Sequence, residues 1–352
     1  MIPYVEVIGK YTLKQFAIVE PSECWFELSY YDIGEFEVYA PATENNLNAL
    51  LMGNYIKIPN KPYLWIIKSV SYTFNSEGAR MIDVKGFEAK WILHQRCILN
   101  PYQLETNLST AIENLLLNNL GANALSYRKI VGFNVSVSPT INITIDDTQA
   151  TRQDIAEFVN ALLKANGCGS YTTFDSNSIT YRVIQGVDRS NSILFSQSMD
   201  NLITSEYYQN SENKKTFCRV VSKFSENNQD VEYAQDYNQG ATNIDRIEMV
   251  VESNLSTKLE DGTEILPSST TYQTMQQQEG KNQLAEKYVE IQFNAEIDLQ
   301  YSNYQFETDF FIGDKVKVRD EYFNYEEVVR ILKYTFKQDS TGYGEEAEYG
   351  IE

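Results

Sequence analysis

Histidine and cysteine are scarce in this chain of 352 residues. The one histidine, His94, leaves a serine or cysteine hydrolase with a single candidate base, and no Gly-x-Ser-x-Gly elbow presents a nucleophile. The four cysteines, Cys24, Cys97, Cys168 and Cys218, lie far apart without a Cys-x-x-Cys pair, so we expect buried free thiols and no metal site. Glycine loops that bind phosphate are also absent. We therefore predict no catalytic residue, no bound cofactor and no enzymatic activity.

Long hydrophobic runs and positive charge are missing too. No run of about 18 apolar residues occurs, and the N-terminus lacks the basic region followed by an apolar run of a signal peptide, so we predict neither membrane insertion nor secretion by that route. There are 49 acidic residues against 29 basic ones, a net charge of −20. This balance disfavours a surface that grips DNA phosphates. Its simplest consequence is solubility.

Aromatic residues are abundant, with 25 tyrosines and 17 phenylalanines beside many Ile, Val and Thr residues. These residues favour the pleated, half-buried surface of a sheet. At roughly 100 to 200 residues per domain, the length indicates two or three domains. The sequence predicts a β-rich α+β protein.

Two glycine-containing β signatures stand at opposite ends of the chain. They are Asp32-Ile-Gly-Glu-Phe36 and Phe311-Ile-Gly-Asp-Lys-Val-Lys-Val-Arg319. In each, a glycine that is free to take a positive φ would turn the chain into a strand. We expect one small β-barrel module to be used twice, as in a tail-tube or hub subunit.

The remaining pattern divides the chain into three domains. Residues 1–96 give strands and then a short helix at 86–96, which forms the first barrel. Residues 97–194 give an α/β domain, with one helix from Leu108 to a stop at Gly121 and a second that starts in a capping box of Thr151 and Asp154. Residues 195–352 give the second barrel, with an inserted loop and helix at about 225–295. The insertion contains a polar surface loop at 225–243 and a glutamine-rich helix at 272–289, and the chain ends in an acidic tail.

Several short motifs occur in an order that carries a family resemblance. They are Gly34-Glu-Phe36; Gly86, Leu93 and Arg96; Asp154-Ile-Ala-Glu-Phe-Val-Asn-Ala-Leu-Leu-Lys164; Asp245-Arg-Ile-Glu248; Gly313-Asp-Lys-Val316; Arg330-Ile331; and Tyr349-Gly350. In this order the chain resembles the siphophage tail hub proteins, the hub part of the tail-associated lysin family. That family is related in fold to the baseplate hub of contractile phage tails.

The resemblance implies a virion protein at the tail tip of a siphovirus or prophage, assembled in the bacterial host cytoplasm. It implies a homotrimeric ring in which each subunit supplies two tail-tube-like β-barrel domains around the channel for DNA ejection. The implied partners are the distal tail protein, the tape-measure protein, and a tail fibre or receptor-binding protein. DNA would pass transiently without specific binding. Relatives often carry a peptidase, lysozyme or fibre domain after the hub, and because this chain stops at Glu352 we expect no lytic activity in it.

The motif residues have structural roles in this interpretation. Gly34, Gly86 and Gly313 meet demands of backbone angle or close packing, and Asp314 belongs to the third signature. We expect Arg96 and Arg330 to anchor strand or domain contacts through carboxylates. The pair Arg246 and Glu248 takes a structural role from the resemblance, although relatives often show two adjacent arginines there.

Two other functions stay open at this stage. The tyrosines suit a groove for host cell-surface glycan, so the chain is alternatively an adhesin of the tail tip. A cell-wall hydrolase is a weaker alternative, because acidic residues are plentiful but no pair of them is singled out.

Overall fold

The computed structural model describes residues 1–226, 229–288, 290–297, 302–322 and 324–350. Strands predominate, and the elements follow in chain order. The first part of the chain contains β1 (Val5–Ile8), β2 (Gln15–Val19), β3 (Glu23–Ser29), β4 (Glu35–Pro41), α1 (Glu44–Ala49), β5 (Tyr55–Lys57), β6 (Trp65–Phe74) and β7 (Arg80–Glu88). A 3-10 helix at Ala89–Gln95 follows β7.

The middle of the chain combines short strands with two amphipathic helices. It contains β8 (Tyr102–Gln103), α2 (Leu108–Asn119), β9 (Phe133–Val137), β10 (Gln149–Ala150), α3 (Ile155–Lys164), β11 (Gly169–Asp175) and β12 (Ser178–Ile184). The side chain of Asn107 caps α2, and Asp154 caps α3 by accepting from two backbone N–H groups. Both predicted helices are confirmed, but Asp154 itself is the N-cap, not the third residue of a box begun at Thr151.

The last part contains β13 (Leu194–Ser196), β14 (Leu202–Asn210), β15 (Phe217–Glu226), β16 (Gln229–Asn238), β17 (Glu248–Glu252), α4 (Thr270–Ala285), β18 (Glu290–Ile297), β19 (Lys315–Asp320), β20 (Tyr325–Asp339) and β21 (Gly342–Gly350). Strands β15, β16 and β17 form a small sheet against α4. The other strands join the large sheet described below.

Two sequence predictions for this last part are wrong, and a predicted helix ends earlier than expected. The expected surface loop at 225–243 contains β16, along which half-buried residues such as Val231 and Tyr233 alternate with exposed ones. The expected acidic tail is β21, which lies between β18 and β20. The small sheet begins at Phe217, and α4 is followed by β18, which pairs with β14 and β21 of the large sheet. The bounds of about 225–295 for the insertion stay a prediction. The helix predicted at 272–289 ends at Ala285, and residue 289 lies outside the described residues.

One 13-stranded sheet connects the two ends of the chain. Its main path runs β14-β18-β21-β20-β3-β4-β7-β6-β5-β1-β2, with β19 and β13 attached at β20. In the described part of the chain this path stays open, so the expectation of two separately closed sheets is corrected: β20 pairs with β3 and merges them. One hydrophobic core accordingly contains Phe26 and Trp65 together with Ile331, Phe336 and Tyr349.

The large sheet contains an internal repeat. The order β3-β4-β7-β6 in the N-terminal repeat (β3 to β7) matches β14-β18-β21-β20 in the C-terminal repeat (β14 and β18 to β21). Strands β6 and β20 show a register shift against their hairpin partners at the same place, after Ile67 and after Ile331. The sequence-based prediction of a module used twice therefore has a counterpart in strand order.

The two repeats also have equivalent glycines just before their short strands, β5 and β19. Gly53, before β5, has φ +87°, and Gly313, before β19, has φ +86°. The N–H of Gly53 donates to the carbonyl of Ile67, and that of Gly313 to the carbonyl of Ile331, both at 2.8 Å. The predicted match of Gly313 with Gly34 is therefore wrong. Gly34 does not have a positive φ. A larger residue does not fit there, because an added Cβ would lie 2.2 Å from the carbonyl oxygen of Glu27.

Candidate assembly interface

The candidate site is the junction at which β3 of the N-terminal repeat meets β20 of the C-terminal repeat. Six residue pairs align here, from Lys333 opposite Ser29 to Gln338 opposite Cys24. The facing residues Phe26 and Phe336 are fully buried. Lys333 lies 3.7 Å from the carboxylate of Glu27 across the junction and 3.2 Å from that of Glu348 on β21. Burial lowers the Lys333 pKa, but the two carboxylates outweigh burial and raise it above the usual value.

Tyr30, just after β3, connects this junction to the middle of the chain. Its N–H donates to the carbonyl of Leu332, and its hydroxyl donates to the carbonyl of Gly167 at 3.0 Å. The same hydroxyl accepts from the N–H of Gly186 at 3.2 Å. The Tyr30 ring packs against Gly313, where an added Cβ would lie 2.2 Å from a ring atom. One side chain thus touches both repeats and the middle region.

The C-terminal side of the junction contains three of the residues singled out from the sequence. The guanidinium of Arg330 lies over the Tyr30 ring and donates to the carbonyl of Gly313 at 2.6 Å. The carboxylate of Asp314 accepts from the Arg189 side chain at 2.6 Å and from the N–H of Val187 at 2.8 Å. Asp314 thereby fixes the strand entry against the end of the middle region.

A buried ion pair supports the N-terminal side of the junction. The ammonium of Lys90 lies 3.4 Å from the carboxylate of Glu88 and donates to the carbonyls of Ser29 and Ser170. The Glu88 carboxylate also accepts from the N–H of Thr172. Both charged groups are fully enclosed, so burial raises the Glu88 pKa and lowers the Lys90 pKa. The pair links β3, β7 and β11.

Gly34 and Gly86 lie beside this pair. The carbonyl of Gly34 accepts from the N–H of Glu88 at 2.6 Å, and an added Cβ at Gly86 would lie 2.0 Å from the carbonyl oxygen of Ile66. Of the eight residues selected from the sequence, four therefore lie at the junction, Gly34, Gly313, Asp314 and Arg330, and Gly86 lies two strands away on β7. Tyr30, Glu88 and Lys90 were missed, because a lone tyrosine and a Glu-x-Lys spacing carry no distinctive sequence signal.

The other three selected residues lie elsewhere. Arg96 donates to the carbonyls of Arg128 and Gln95, so it anchors the start of the middle region through carbonyls and not through the expected carboxylates. Arg246 pairs with Glu248 in the small sheet, and its guanidinium lies 3.9 Å from the centre of the Phe217 ring. These contacts are local to their own regions.

His94 and the four cysteines are the residues from which a nucleophilic or metal site could be built. Nδ1 of His94 lies 3.0 Å from the carboxylate of Asp154, which already caps α3. The cysteines are free; three are buried, and Cys97 is exposed, contrary to the expectation for it. Among the residues that the structure describes, no group of three or more His, Cys, Asp or Glu side chains could hold a metal ion, and no helix is long and apolar enough to span a membrane.

A polar cleft of about 370 Å³ lies between α3 and α4. Its lining includes Tyr31, Asn160, Gln278 and Asn282, and the side-chain amide of Gln278 donates to that of Asn282 at 2.8 Å. The carboxyl of Glu279 also lines this cleft, and burial raises its pKa. Amide and phenol groups of this kind can bind hydroxylated ligands.

Comparisons with known proteins agree with this architecture. The tail protein of Neisseria meningitidis MC58 superimposes with a TM-score of 0.59 at 12% identity, covering 99% of this chain and 96% of that one. The 43 kDa tail protein of prophage MuSo2 from Shewanella oneidensis gives 0.58 at 11% identity, with the same coverage. At these identities the likeness shows the fold. No curated protein matches the chain significantly.

A family model identifies the family to which the chain belongs. The model described as Siphovirus ReqiPepy6 Gp37-like protein matches residues 12–350, which include both repeats, the middle region and the small sheet. The resemblance drawn from the order of short motifs is thereby confirmed. The chain belongs to the Siphovirus ReqiPepy6 Gp37-like family of siphovirus tail proteins.

Proposed function

We propose that this chain is a structural virion protein of a phage or prophage tail tip. Three copies form a hub ring that continues the tail tube, and the opening of the ring is the channel for DNA ejection. The ring contacts the distal tail protein on one side and the tape-measure protein inside, and it has no enzymatic activity. The observation that supports this proposal best is the internal repeat, whose two copies are joined in one sheet by β3 and β20.

The repeat supports a trimer for a geometric reason. Each chain contributes two tube-type modules with the same strand order, so three chains supply six such modules in a ring. Six modules would match the symmetry of a tail tube with six subunits per ring, which we take to stand above the hub. Contacts between neighbouring modules are heterologous if each module uses two different surfaces. Such contacts form a closed ring when the rotations from module to module add up to a full turn, and a closed ring leaves no strand edge unpaired.

The net charge of −20 per chain is compatible with passage of DNA. Acidic groups act on DNA only over about 8 Å at physiological salt, so their effect is to prevent adhesion at close range. In the proposed hub the walls release DNA and do not bind it.

The test is the stoichiometry of the complex with the distal tail protein. Native mass spectrometry of the full chain, 40.5 kDa, mixed with that protein should give an assembly with three copies of this chain. An assembly with two or six copies, or no complex at all, would contradict the proposed hub.

The polar cleft between α3 and α4 favours a second candidate, a host glycan-binding adhesin. Its test is saturable binding of the purified chain to host cell wall, with Asn160→Ala and Asn282→Ala as variants. Binding that both substitutions abolish would support the adhesin. Absence of saturable binding by the parent chain would remove it.

A further inference from the structure

Among the described residues, two strand edges of the internal repeat have no strand partner, and they are the equivalents of the edges joined at the β3–β20 junction. In the described residues, β6 pairs with β5 only at Tyr55–Ile66 and Ile56–Trp65, so its outer edge beyond Ile67 has no strand partner. Likewise β14 pairs only with β18 within that part of the chain. Unpaired strand edges of this kind are ready sites for pairing with another chain.

The strand registers identify which residues are equivalent. In the N-terminal repeat, cross-strand pairs connect Ile67 to Gly86, Gly86 to Phe36 and Phe36 to Phe26. The C-terminal repeat has the same series from Ile331 to Tyr349, Phe293 and Tyr207. Tyr207 on β14 therefore occupies the position of Phe26 on β3.

The β6 residue that is equivalent to Phe336 on β20 is identified by its distance along the strand. Phe336, the partner of Phe26, lies five residues after Ile331, and Tyr72 lies five residues after Ile67. Tyr72 on β6 is thus the equivalent of Phe336 on β20. The equivalent of the internal pair Phe336–Phe26 is the pair Tyr72–Tyr207, in which the two residues come from different edges of the molecule.

Solvent exposure distinguishes the joined pair from the unjoined one. Phe336 and Phe26 are each 0% exposed, whereas Tyr72 is 63% exposed and Tyr207 is 40% exposed. Their neighbours Phe74 and Tyr208 are also exposed. Large apolar groups on an open strand edge indicate an interaction site.

Charge does not oppose this contact in a strongly acidic protein. Residues 69–74 contain no charged side chain, and residues 205–210 contain a single one, Glu206. Two such edges approach each other without facing like charges, which would be destabilising between paired strands.

We propose that β6 of one subunit pairs antiparallel with β14 of a second copy of this chain, in the register of the internal β20–β3 junction. The inter-subunit seam (residues 69–74 against 205–210) then sets Ser69 opposite Asn210, Ser71 opposite Tyr208 and Tyr72 opposite Tyr207. This inference rests on the proposed hub ring and names the surface that closes it. Each subunit offers one edge of each kind, so the contact is heterologous and continues around the ring.

Engineered disulfides test the register. The N–H of Tyr30 donates to the carbonyl of Leu332, which places the adjacent pair Lys333–Ser29 in the non-hydrogen-bonded set of the antiparallel ladder. Thr335–Glu27 belongs to the same set, and its equivalent is Ser71–Tyr208. Cα atoms of such pairs lie about 4.5 Å apart, within the range that a disulfide spans.

The experiment uses the full chain with the exposed Cys97 replaced by serine. We expect mild oxidation to convert the Ser71→Cys/Tyr208→Cys variant into covalent species of up to three chains. The control Ser71→Cys/Tyr207→Cys sets the two thiols on opposite faces of the seam and should give at most one-tenth of that yield. Light scattering on the reduced samples reports the oligomeric state, and protein concentration is raised until association occurs.

The possible outcomes distinguish failure of the proposed seam from failure of the proposed hub ring. In-register crosslinking that exceeds the control supports the seam. A three-chain mass with equal or no crosslinking in the two variants overturns the seam and leaves the hub ring standing. A chain that stays monomeric with the distal tail protein present, and does not crosslink, overturns both.

Discussion

The two copies of one strand order within this chain differ in what covers their edges. At the β20–β3 edge, aromatic side chains are buried, a lysine lies between two carboxylates, and Tyr30 connects the junction to the middle region. At the equivalent edges of β6 and β14, Tyr72 is 63% exposed and Tyr207 is 40% exposed, with the Tyr207 ring packed against that of Tyr325. The comparison shows that one pair of strand edges is joined inside the chain, whereas the equivalent pair has no strand partner among the described residues and is the pair that we propose for assembly.

The largest expected effect comes from the equivalent glycines. Gly313→Val places a β-branched side chain at φ +86° and drives it into the Tyr30 ring, so we expect a loss of about 3–5 kcal/mol in unfolding free energy from strain and overpacking together. Gly53→Val has the same φ, but its Cβ meets only the flexible end of Lys10, at 3.0 Å, and should cost about 1–3 kcal/mol. Urea denaturation of both variants measures the difference. Equal losses would show that the Tyr30 contact adds nothing.

The equivalent aromatic residues sharpen the comparison further. Phe336→Ala removes a fully buried ring, and we expect a loss of about 3–4 kcal/mol in the unfolding free energy of the monomer. Tyr72→Ala removes an exposed ring and should change that free energy by less than about 0.5 kcal/mol. The same Tyr72→Ala chain should assemble less well. If thermal unfolding showed equal destabilisation in the two monomers, the difference between covered and open edges would be refuted.

The buried pair Glu88 and Lys90 gives a prediction that depends on breaking one partner at a time. Lys90→Met leaves the Glu88 carboxylate enclosed without its cation, so we expect a loss of about 3 kcal/mol. The double variant Glu88→Gln/Lys90→Met removes both charges and should recover at least half of that loss, because replacing a whole buried pair is often close to neutral. A double variant less stable than Lys90→Met would indicate that the hydrogen bonds, and not the charges, dominate.

The smallest expected effect concerns the hydroxyl of Tyr30. Tyr30→Phe keeps the ring against Gly313 but removes the acceptor of the Gly186 N–H, and we expect a loss of about 1–2 kcal/mol. The control is Tyr127→Phe, at a tyrosine 77% exposed in the middle region, which should be neutral. Chemical denaturation distinguishes them. Identical denaturation midpoints for the two variants would show that the Tyr30 hydroxyl does not contribute to stability.

The sequence predicted those features that depend on local pattern. The helices α2 and α3, each with a buried apolar stripe, follow from the spacing of their apolar residues and from their capping residues. Strand β21 differs from the predicted acidic tail because Glu346 and Glu348 form ion pairs with Lys337 and Lys333 on β20. Sequence alone does not reveal such cross-strand partners.

The candidate site was predictable only in part for a similar reason. Gly313, Asp314 and Arg330 stand in recognisable motifs, but Tyr30 matters because residues 167, 186 and 313 all meet it in space. The equivalence of Gly53 with Gly313 also needed the strand registers. The short motif around Gly34 resembles that around Gly313 more closely in sequence than in backbone conformation.

The most direct test of the central claim is an electron cryomicroscopy map of the assembled tail tip. We predict six evenly spaced modules from three chains, with residues 69–74 of each chain paired to residues 205–210 of its neighbour in the register of Tyr72 opposite Tyr207. A map in which these two edges face solvent, or pair with a different protein, would contradict it.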